Sequence, residues 1–73
     1  MKIFDAGQLR LARRNAKLTL RDAAKLLFLS VSCLTEKENG RVRVFADELG
    51  AFARLYNVSV EDFFVKKIDH GFS

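Results

Sequence analysis

Residues 19–40 read TLRDAAKLLFLSVSCLTEKENG, and this stretch decides the fold because it encodes two short helices in quick succession. Thr19 and Ser30 each precede a run with helical spacing, over 20–27 and 31–39. A side-chain hydroxyl just before a helix accepts a hydrogen bond from a free amide of the first turn. We therefore expect both helices to begin at these caps, with a turn of about three residues between them.

Small and apolar side chains in this stretch predict that the two helices pack closely against each other. Ala24 leaves room for a neighbouring helix. Leu29 and Leu34 are placed to enter the core. Two short helices joined in this way form a helix-turn-helix, and in those that bind DNA the second helix enters the major groove while the first braces it across the backbone. Such pairs also occur in other helical proteins, so the pair alone leaves a purely structural role open.

Helical spacing continues on both sides of the pair. Asp5 is predicted to cap a first helix over 6–16. Apolar residues recur at helical intervals over 46–56, which predicts a fourth helix. Ser59 is predicted to cap a short fifth helix over 60–65. The expected fold class is therefore all-α, with five helices.

We expect these helices to form a single domain over residues 1–73. Hydrophobic residues make up 49% of the chain, which is enough for a core without covalent staples. That core is predicted over about residues 5–65, and residues 66–73 are predicted to be a frayed tail. Ile68 and Phe72 leave open a docking role for this tail.

The composition argues against several classes of function. Cys33 is the only cysteine, which excludes an internal disulfide and favours the reducing cytoplasm. One cysteine and His70 cannot form a typical zinc site, and they lie too far apart in sequence to indicate a Cys–His catalytic pair. No apolar run is long enough to span a membrane. We therefore expect a cytoplasmic protein that is not an enzyme and needs no metal and no cofactor.

The positive charge of the chain is concentrated in its first third. The net charge is +4, and residues 1–25 hold seven basic residues against two acidic ones. The basic residues are Lys2, Arg10, Arg13, Arg14, Lys17, Arg21 and Lys25. A basic face on a small domain suits a polyanion, although a solvated helix face has the same composition.

The order of motifs along the chain resembles a known family. The residues that carry the resemblance are Leu18-Thr19, Ala24, Leu27, Leu29-Ser30, Leu34, Glu38-Asn39-Gly40 and Val58-Ser59-Val60-Glu61-Asp62-Phe63-Phe64. Over residues 6–65 this pattern closely resembles the five-helix domain of phage Cro proteins and repressors, the xenobiotic-response-element family. The resemblance implies a compact repressor-like domain, in which the helix over 31–39 is the recognition helix.

The resemblance also implies roles for individual residues. The base-facing positions of the recognition helix and their neighbour are occupied by Val31, Ser32, Thr35 and Glu36. The positions beside the DNA phosphates are occupied by Leu20, Arg21, Ser30, Arg41 and Arg43. An ion pair that several relatives form between the first helix and the end of the recognition helix corresponds here to Arg13 and Glu38.

The chain departs from the family pattern at several of its positions. Leu20 replaces a common glutamine that contacts DNA. Phe28 replaces the usual glycine of the turn, and because a bulky residue disfavours positive φ, we expect the turn to be distorted or to change conformation. Lys37 stands where an apolar residue is usual, and Val44 where proline is common. The base-facing positions also lack arginine, the commonest reader of guanine.

The expected function is sequence-specific binding of double-stranded DNA by a transcriptional regulator, a repressor that acts as a homodimer on a two-fold operator. The phenylalanine-rich region 63–72 is the expected self-contact. The alternative is a protein-interaction module of the antitoxin type, whose helix-turn-helix binds a protein partner as well as or instead of DNA. The departures at Leu20, Phe28 and Lys37 fit this alternative, in which the DNA surface has drifted.

Overall fold

The fold, described over residues 2–66 by a computed structural model, consists of four α-helices, one 3-10 turn and two short strands. The helices are α1 (Ala6–Asn15), α2 (Leu20–Leu26), α3 (Val31–Glu38) and α4 (Ala46–Tyr56). The 3-10 turn covers Val60–Phe63, and the strands are β1 (Lys2–Phe4) and β2 (Phe64–Lys66). The helix-turn-helix is therefore α2, residues 27–30 and α3.

The predicted helix caps are confirmed. The Thr19 Oγ1 atom accepts a hydrogen bond from the Asp22 amide at 3.0 Å, and Ser30 Oγ accepts one from the Cys33 amide at 3.0 Å. Asp5 starts α1 by accepting from the Gly7 amide. Each cap satisfies a donor that has no partner within its own helix, which is why the helices begin where the sequence predicted.

The expectation of five helices was wrong at the C-terminal end of the domain. Residues 60–65 do not form an α-helix: Ser59 caps only the 3-10 turn, after which Phe64 adopts an extended conformation. Strand β2 then pairs antiparallel with β1, with Phe4 opposite Phe64 and Ile3 opposite Val65. Aromatic and β-branched residues favour strands, but the pairing joins the two ends of the domain, so no local pattern reveals it. The fold is mostly helical, as the expected all-α class implies, but it has four α-helices and a small two-stranded sheet in place of five helices.

The core lies where α1, α3, α4 and the 3-10 turn meet. Its fully buried large side chains are Leu9, Leu34, Phe52 and Phe63. Ala23 and Ala24 are also buried, and they let α2 approach α3 closely. The side of α3 that carries Leu34 is therefore fixed against the body of the domain, which leaves its opposite side free to meet a ligand.

The turn between α2 and α3 keeps the backbone conformation that usually belongs to glycine. Phe28 has φ 59°, in the left-handed region, so the expected distortion or change of conformation does not occur. The Leu29 amide donates to the Ala24 carbonyl at 2.8 Å and closes the turn. The Phe28 side chain is 95% exposed. The turn is therefore built by backbone hydrogen bonding and by packing of its neighbours, without any contribution from burial of the Phe28 ring.

The predictions made for the C-terminal tail lie almost wholly outside the described residues. Lys66 is the last residue of β2, which corrects its assignment to the tail. The frayed tail and the docking role of Ile68 and Phe72 concern residues 67–73, beyond the part of the chain that the structure describes.

Candidate nucleic-acid interface

Helix α3 has two chemically distinct sides. Leu34, Lys37 and Glu38 are buried on its inner side. The four residues predicted to face the bases recur at intervals of one, three and four positions, and none of them is buried: Val31, Ser32, Thr35 and Glu36. Positions spaced in this way share one side of a helix. The structure therefore brings the predicted base-facing residues together on the outer side of α3.

Arg13 on α1 and Glu38 at the end of α3 form a buried ion pair. The Arg13 Nε atom donates to Glu38 Oε2 at 2.8 Å, and Nη2 donates to Oε1 at 3.2 Å. A third bond runs from Arg13 Nη1 to the Leu18 carbonyl at 2.9 Å. Because the pair is bidentate, it fixes the direction as well as the distance between the two helices. Arg13 is therefore an architectural residue, and its charge does not belong to the basic surface.

The hydroxyl of Tyr56 lies close to this pair. It is buried and has no hydrogen-bond partner within residues 2–66. Burial, together with the negative charge of Glu38, raises the pKa of Tyr56 above its ordinary value, while the Arg13 charge opposes the rise. The hydroxyl is therefore neutral at neutral pH, and the tyrosine serves as part of the core.

A second ion pair, between a buried lysine and a half-buried glutamate, joins α3 to α4 and was not predicted from the sequence. The Lys37 Nζ atom lies 2.8 Å from Glu48 Oε2. Glu48 Oε1 accepts a hydrogen bond from the Phe45 amide at 2.9 Å, which caps α4. Burial raises the pKa of Glu48, but the hydrogen bonds from Lys37 and Phe45 and the Lys37 charge outweigh it, so the pKa is lower than the usual value. The sequence contains a signal for this pair. Lys37 stands where an apolar residue is usual, and Glu48 follows in the first turn of the next helix.

A third ion pair lies on the outside of α3. The Glu36 Oε1 atom is 3.5 Å from Arg41 Nη1, and the two side chains are 40% and 69% exposed. The backbone reinforces this approach, because the Arg41 amide donates to the Glu36 carbonyl at 3.0 Å. Gly40 between them has φ 75° and lets the chain turn back sharply after α3. A predicted base-facing residue and a predicted phosphate-facing residue are thus brought side by side.

The remaining residues predicted to face phosphates fall into two groups. Arg21, Ser30 and Arg43 are exposed, and the Ser30 hydroxyl keeps its own hydrogen to donate while it caps α3. Leu20 differs from them, because its side chain is half-buried against the core and carries no polar atom. The only group with which Leu20 can bind a phosphate is therefore its backbone amide.

Exposed basic residues also lie outside the positions predicted to contact DNA. Arg10, Arg14 and Lys17 are exposed on or just after α1, and Lys25 is exposed on α2.

Within residues 2–66 no group of His, Cys, Asp and Glu is arranged to hold a metal ion. Over the same residues, no helix has the length and apolarity that a membrane span requires.

The fold and the two sides of α3 define a helix-turn-helix domain. Comparison with known families agrees, since residues 6–63 match the helix-turn-helix domain family. The chain therefore belongs to this family, which is typical of Cro- and XRE-like regulators and typically non-enzymatic. No curated protein matched the chain.

Proposed function

We propose that this protein is a transcriptional regulator that binds double-stranded DNA in a sequence-specific manner by inserting the outer side of α3 into the major groove. The observation that carries the proposal is the division of α3 into two sides. One is held by two ion pairs through the buried residues Glu38 and Lys37, and the other presents four unburied residues. A rigidly held helix that presents short polar and apolar side chains suits the reading of base edges.

The base-reading roles follow from the chemistry of the outer side of α3. Val31 suits the methyl group of thymine, and Ser32 can bond to several base edges. Thr35 lies beside them and offers both a methyl and a hydroxyl group. Glu36 accepts a hydrogen bond from the amino group of cytosine, while Arg41 beside it offsets its repulsion of the phosphates. Without an arginine among these positions, recognition depends on these smaller contacts.

The phosphate contacts in this proposal flank α3 on both sides. Arg21 and Ser30 precede the recognition residues, and Leu20 contributes its amide at the start of α2. Arg41 and Arg43 follow α3 in the loop before α4. Contacts of this kind fix the register of a protein on DNA and supply affinity for any sequence.

The proposed regulator is a repressor that acts in the cytoplasm as a homodimer. One recognition helix reads only a few base pairs, so specific binding requires two half-sites about one helical turn apart. Phe63 was part of the expected self-contact, but it is fully buried in the core and is not available for one. Within the described part of region 63–72, the exposed side chains are those of Val65 and Lys66 on β2.

A second candidate function is binding of a protein partner, as in antitoxin-type modules. The observation that favours it is the exposure of two large apolar residues two positions apart, Leu26 at the end of α2 and Phe28 in the turn, which are 56% and 95% exposed. Exposed apolar residues that form a contiguous patch are a feature of protein-interaction sites. In this alternative the partner binds the helix-turn-helix in addition to DNA or in its place.

A salt titration separates the two functions. Binding to a random-sequence duplex is measured over a series of salt concentrations for the wild type and for Arg43→Ala. We expect a steep loss of affinity with salt, and a slope lower by about one unit in Arg43→Ala. Lys66→Ala, which removes a charge outside the proposed surface, is the control. A flat salt dependence in the wild type would contradict DNA binding and favour the protein partner.

A further inference from the structure

The loop between α3 and α4, residues 39–45, carries two of the arginines assigned to phosphates and is held unequally at its two ends. At its start, the Arg41 amide is bonded to the Glu36 carbonyl, so Arg41 is tied to α3. Within residues 2–66, the amides of residues 42–44 donate no backbone hydrogen bond. The position of Arg43 therefore depends on whatever holds the far end of the loop.

The Glu48 carboxylate holds that end through both of its oxygens. Oε1 accepts from the amide of Phe45, the last residue of the loop, at 2.9 Å. Oε2 lies 2.8 Å from Nζ of Lys37, which belongs to the last turn of α3. One carboxylate thus connects the end of the recognition helix to the end of the loop, and residues 38–44 form a closed arc between the two attachment points, Lys37 and Phe45.

We infer that Glu48, paired with Lys37, is a positioning residue for DNA binding: it sets the placement, relative to α3, of the part of the loop that carries Arg43. The inference rests on the proposed function, because it assigns a role in holding the phosphate-facing loop of that same surface. Glu48 and Lys37 need not touch DNA themselves. Lys37 is buried on the inner side of α3, and Glu48 lies on α4.

The chemistry of the pair suits a positioning role better than a role in stability alone. A buried lysine is costly unless it is paired, and an apolar residue of similar size would pack at this position without that cost. What the ion pair adds is direction, because the ammonium group attracts one carboxylate oxygen while the other caps α4. An apolar residue at position 37 would bury the same surface and leave the end of the loop attached to α4 alone.

The test exploits two effects of opposite sign. Glu48→Gln removes a negative charge near the DNA surface, so electrostatics alone predicts equal or tighter binding. Its amide oxygen still accepts from the Phe45 amide, but the ion pair with Lys37 is lost. If the pair positions the loop, binding weakens instead, by about threefold to tenfold. Asp47→Asn is the matched control, since Asp47 is exposed on the same turn of α4 and forms no side-chain hydrogen bond or ion pair within residues 2–66.

The affinities are measured by titration against a random-sequence duplex of about 20 base pairs, at a temperature at which thermal unfolding shows every variant to be folded. Glu48→Asp keeps the charge but shortens the side chain, so it is expected to weaken binding with no change in net charge. In a double-mutant cycle with Lys37→Met, the double variant is expected to bind no more weakly than Lys37→Met alone. Hydrogen exchange of the Phe45 amide, which is bonded to Glu48 Oε1, is expected to accelerate in Glu48→Gln because Lys37 no longer holds the side chain in place.

The outcomes distinguish this inference from the function on which it rests. If the wild type binds the duplex with a salt-dependent affinity, but Glu48→Gln binds as well as Asp47→Asn, the positioning role is wrong and the proposed function stands. Additive losses in the double-mutant cycle would likewise overturn the coupling between Glu48 and Lys37. If the wild type itself shows no salt-dependent binding, the proposed function is wrong.

Discussion

Glu36 and Glu38 lie two residues apart at the end of α3, yet their surroundings give the same carboxylate different roles. The Glu38 side chain is 4% exposed and receives two hydrogen bonds from Arg13. The Glu36 side chain is 40% exposed and has one looser ion pair, at 3.5 Å, with the solvated Arg41. Burial strengthens an ion pair only when its partners are fully bonded, whereas solvent weakens it at any geometry. We therefore expect Glu38 to act in stability and Glu36 in recognition.

Lys37, which lies between these two glutamates in the sequence, belongs to an ion pair of intermediate exposure. Lys37 pairs with Glu48, whose side chain is 26% exposed and whose second oxygen caps α4. Three consecutive residues of α3 therefore form ion pairs with three different parts of the domain. Glu36 pairs with the loop, Lys37 with α4 and Glu38 with α1. The exposed fraction of the paired carboxylate rises from Glu38 to Glu48 to Glu36. If this comparison is correct, the cost to stability of removing each carboxylate falls in the same order.

The largest effect is expected for Glu38→Ala. Removing this carboxylate leaves the Arg13 guanidinium buried without its charge partner, which typically costs about 3–5 kcal/mol in the free energy of unfolding. Chemical denaturation of the wild type and the variant measures this difference. Glu36→Ala is the matched control, because it removes the same side chain from the same turn of α3. Equal stabilities for the two variants would show that burial does not determine how much each glutamate contributes to the free energy of unfolding.

Glu48→Ala is expected to have a smaller effect, about 1–2 kcal/mol. It removes the cap of α4 and leaves Lys37 unpaired, but the partly exposed site allows solvent to reach the lysine. Chemical denaturation again measures the change. A loss as large as that of Glu38→Ala would contradict the intermediate position of this pair.

Acid titration provides an independent check on Glu48. Its pKa in the folded protein is lower than the ordinary value of 4.5, so its contribution to stability is fully present above that value. The contribution is lost as the pH falls through the lower pKa of the folded state. We expect the stability of Glu48→Gln to depend less on pH below 4.5 than that of the wild type, while Asp47→Asn serves as the control.

A variant in the turn between α2 and α3, at the other end of the recognition helix, tests whether the ion pairs alone hold this helix in place. Phe28→Gly is expected to stabilise the domain by about 0.5–1 kcal/mol, since glycine removes the strain of the left-handed conformation and the exposed ring contributes no burial. Part of the gain is offset by the greater freedom of glycine in the unfolded chain. Lys17→Gly, at an exposed position with φ 64°, should behave in the same way. Loss of stability in Phe28→Gly alone would show that the ring makes contacts that hold the turn.

The sequence predicts those parts of the molecule that depend on local chemistry. The caps at Thr19 and Ser30 need only a hydroxyl group and nearby amides, so their positions follow from the sequence. The pairing of β1 with β2 brings together residues sixty or more positions apart, and β2 takes the place of the last residues of the expected fifth helix. The Lys37–Glu48 pair depends on how α4 crosses α3, which spacing along one helix does not determine. The family resemblance implied the Arg13–Glu38 pair, whereas it marked Lys37 only as a departure from the pattern and indicated no partner for it.

The smallest effect on stability is expected for Glu36→Gln, and here the comparison between the two glutamates is tested on function. Because the Glu36–Arg41 pair is solvated, its loss should change the free energy of unfolding by less than about 0.5 kcal/mol. Its effect on DNA should be larger. The carboxylate repels phosphates at every position on DNA and is favourable only where a cytosine amino group meets it, a contact worth about 1–3 kcal/mol. Glutamine should therefore raise the affinity for random DNA and relax the preference at one base pair. Arg41, released from its pair, adds to the gain in affinity.

Val31→Ala is the control on the same side of α3. It is expected to lose a preference for thymine with little change in non-specific affinity. Selection from randomised duplexes at a single salt concentration measures both preferences. An unchanged motif together with an unchanged affinity for random DNA in Glu36→Gln would place Glu36 outside the recognition surface.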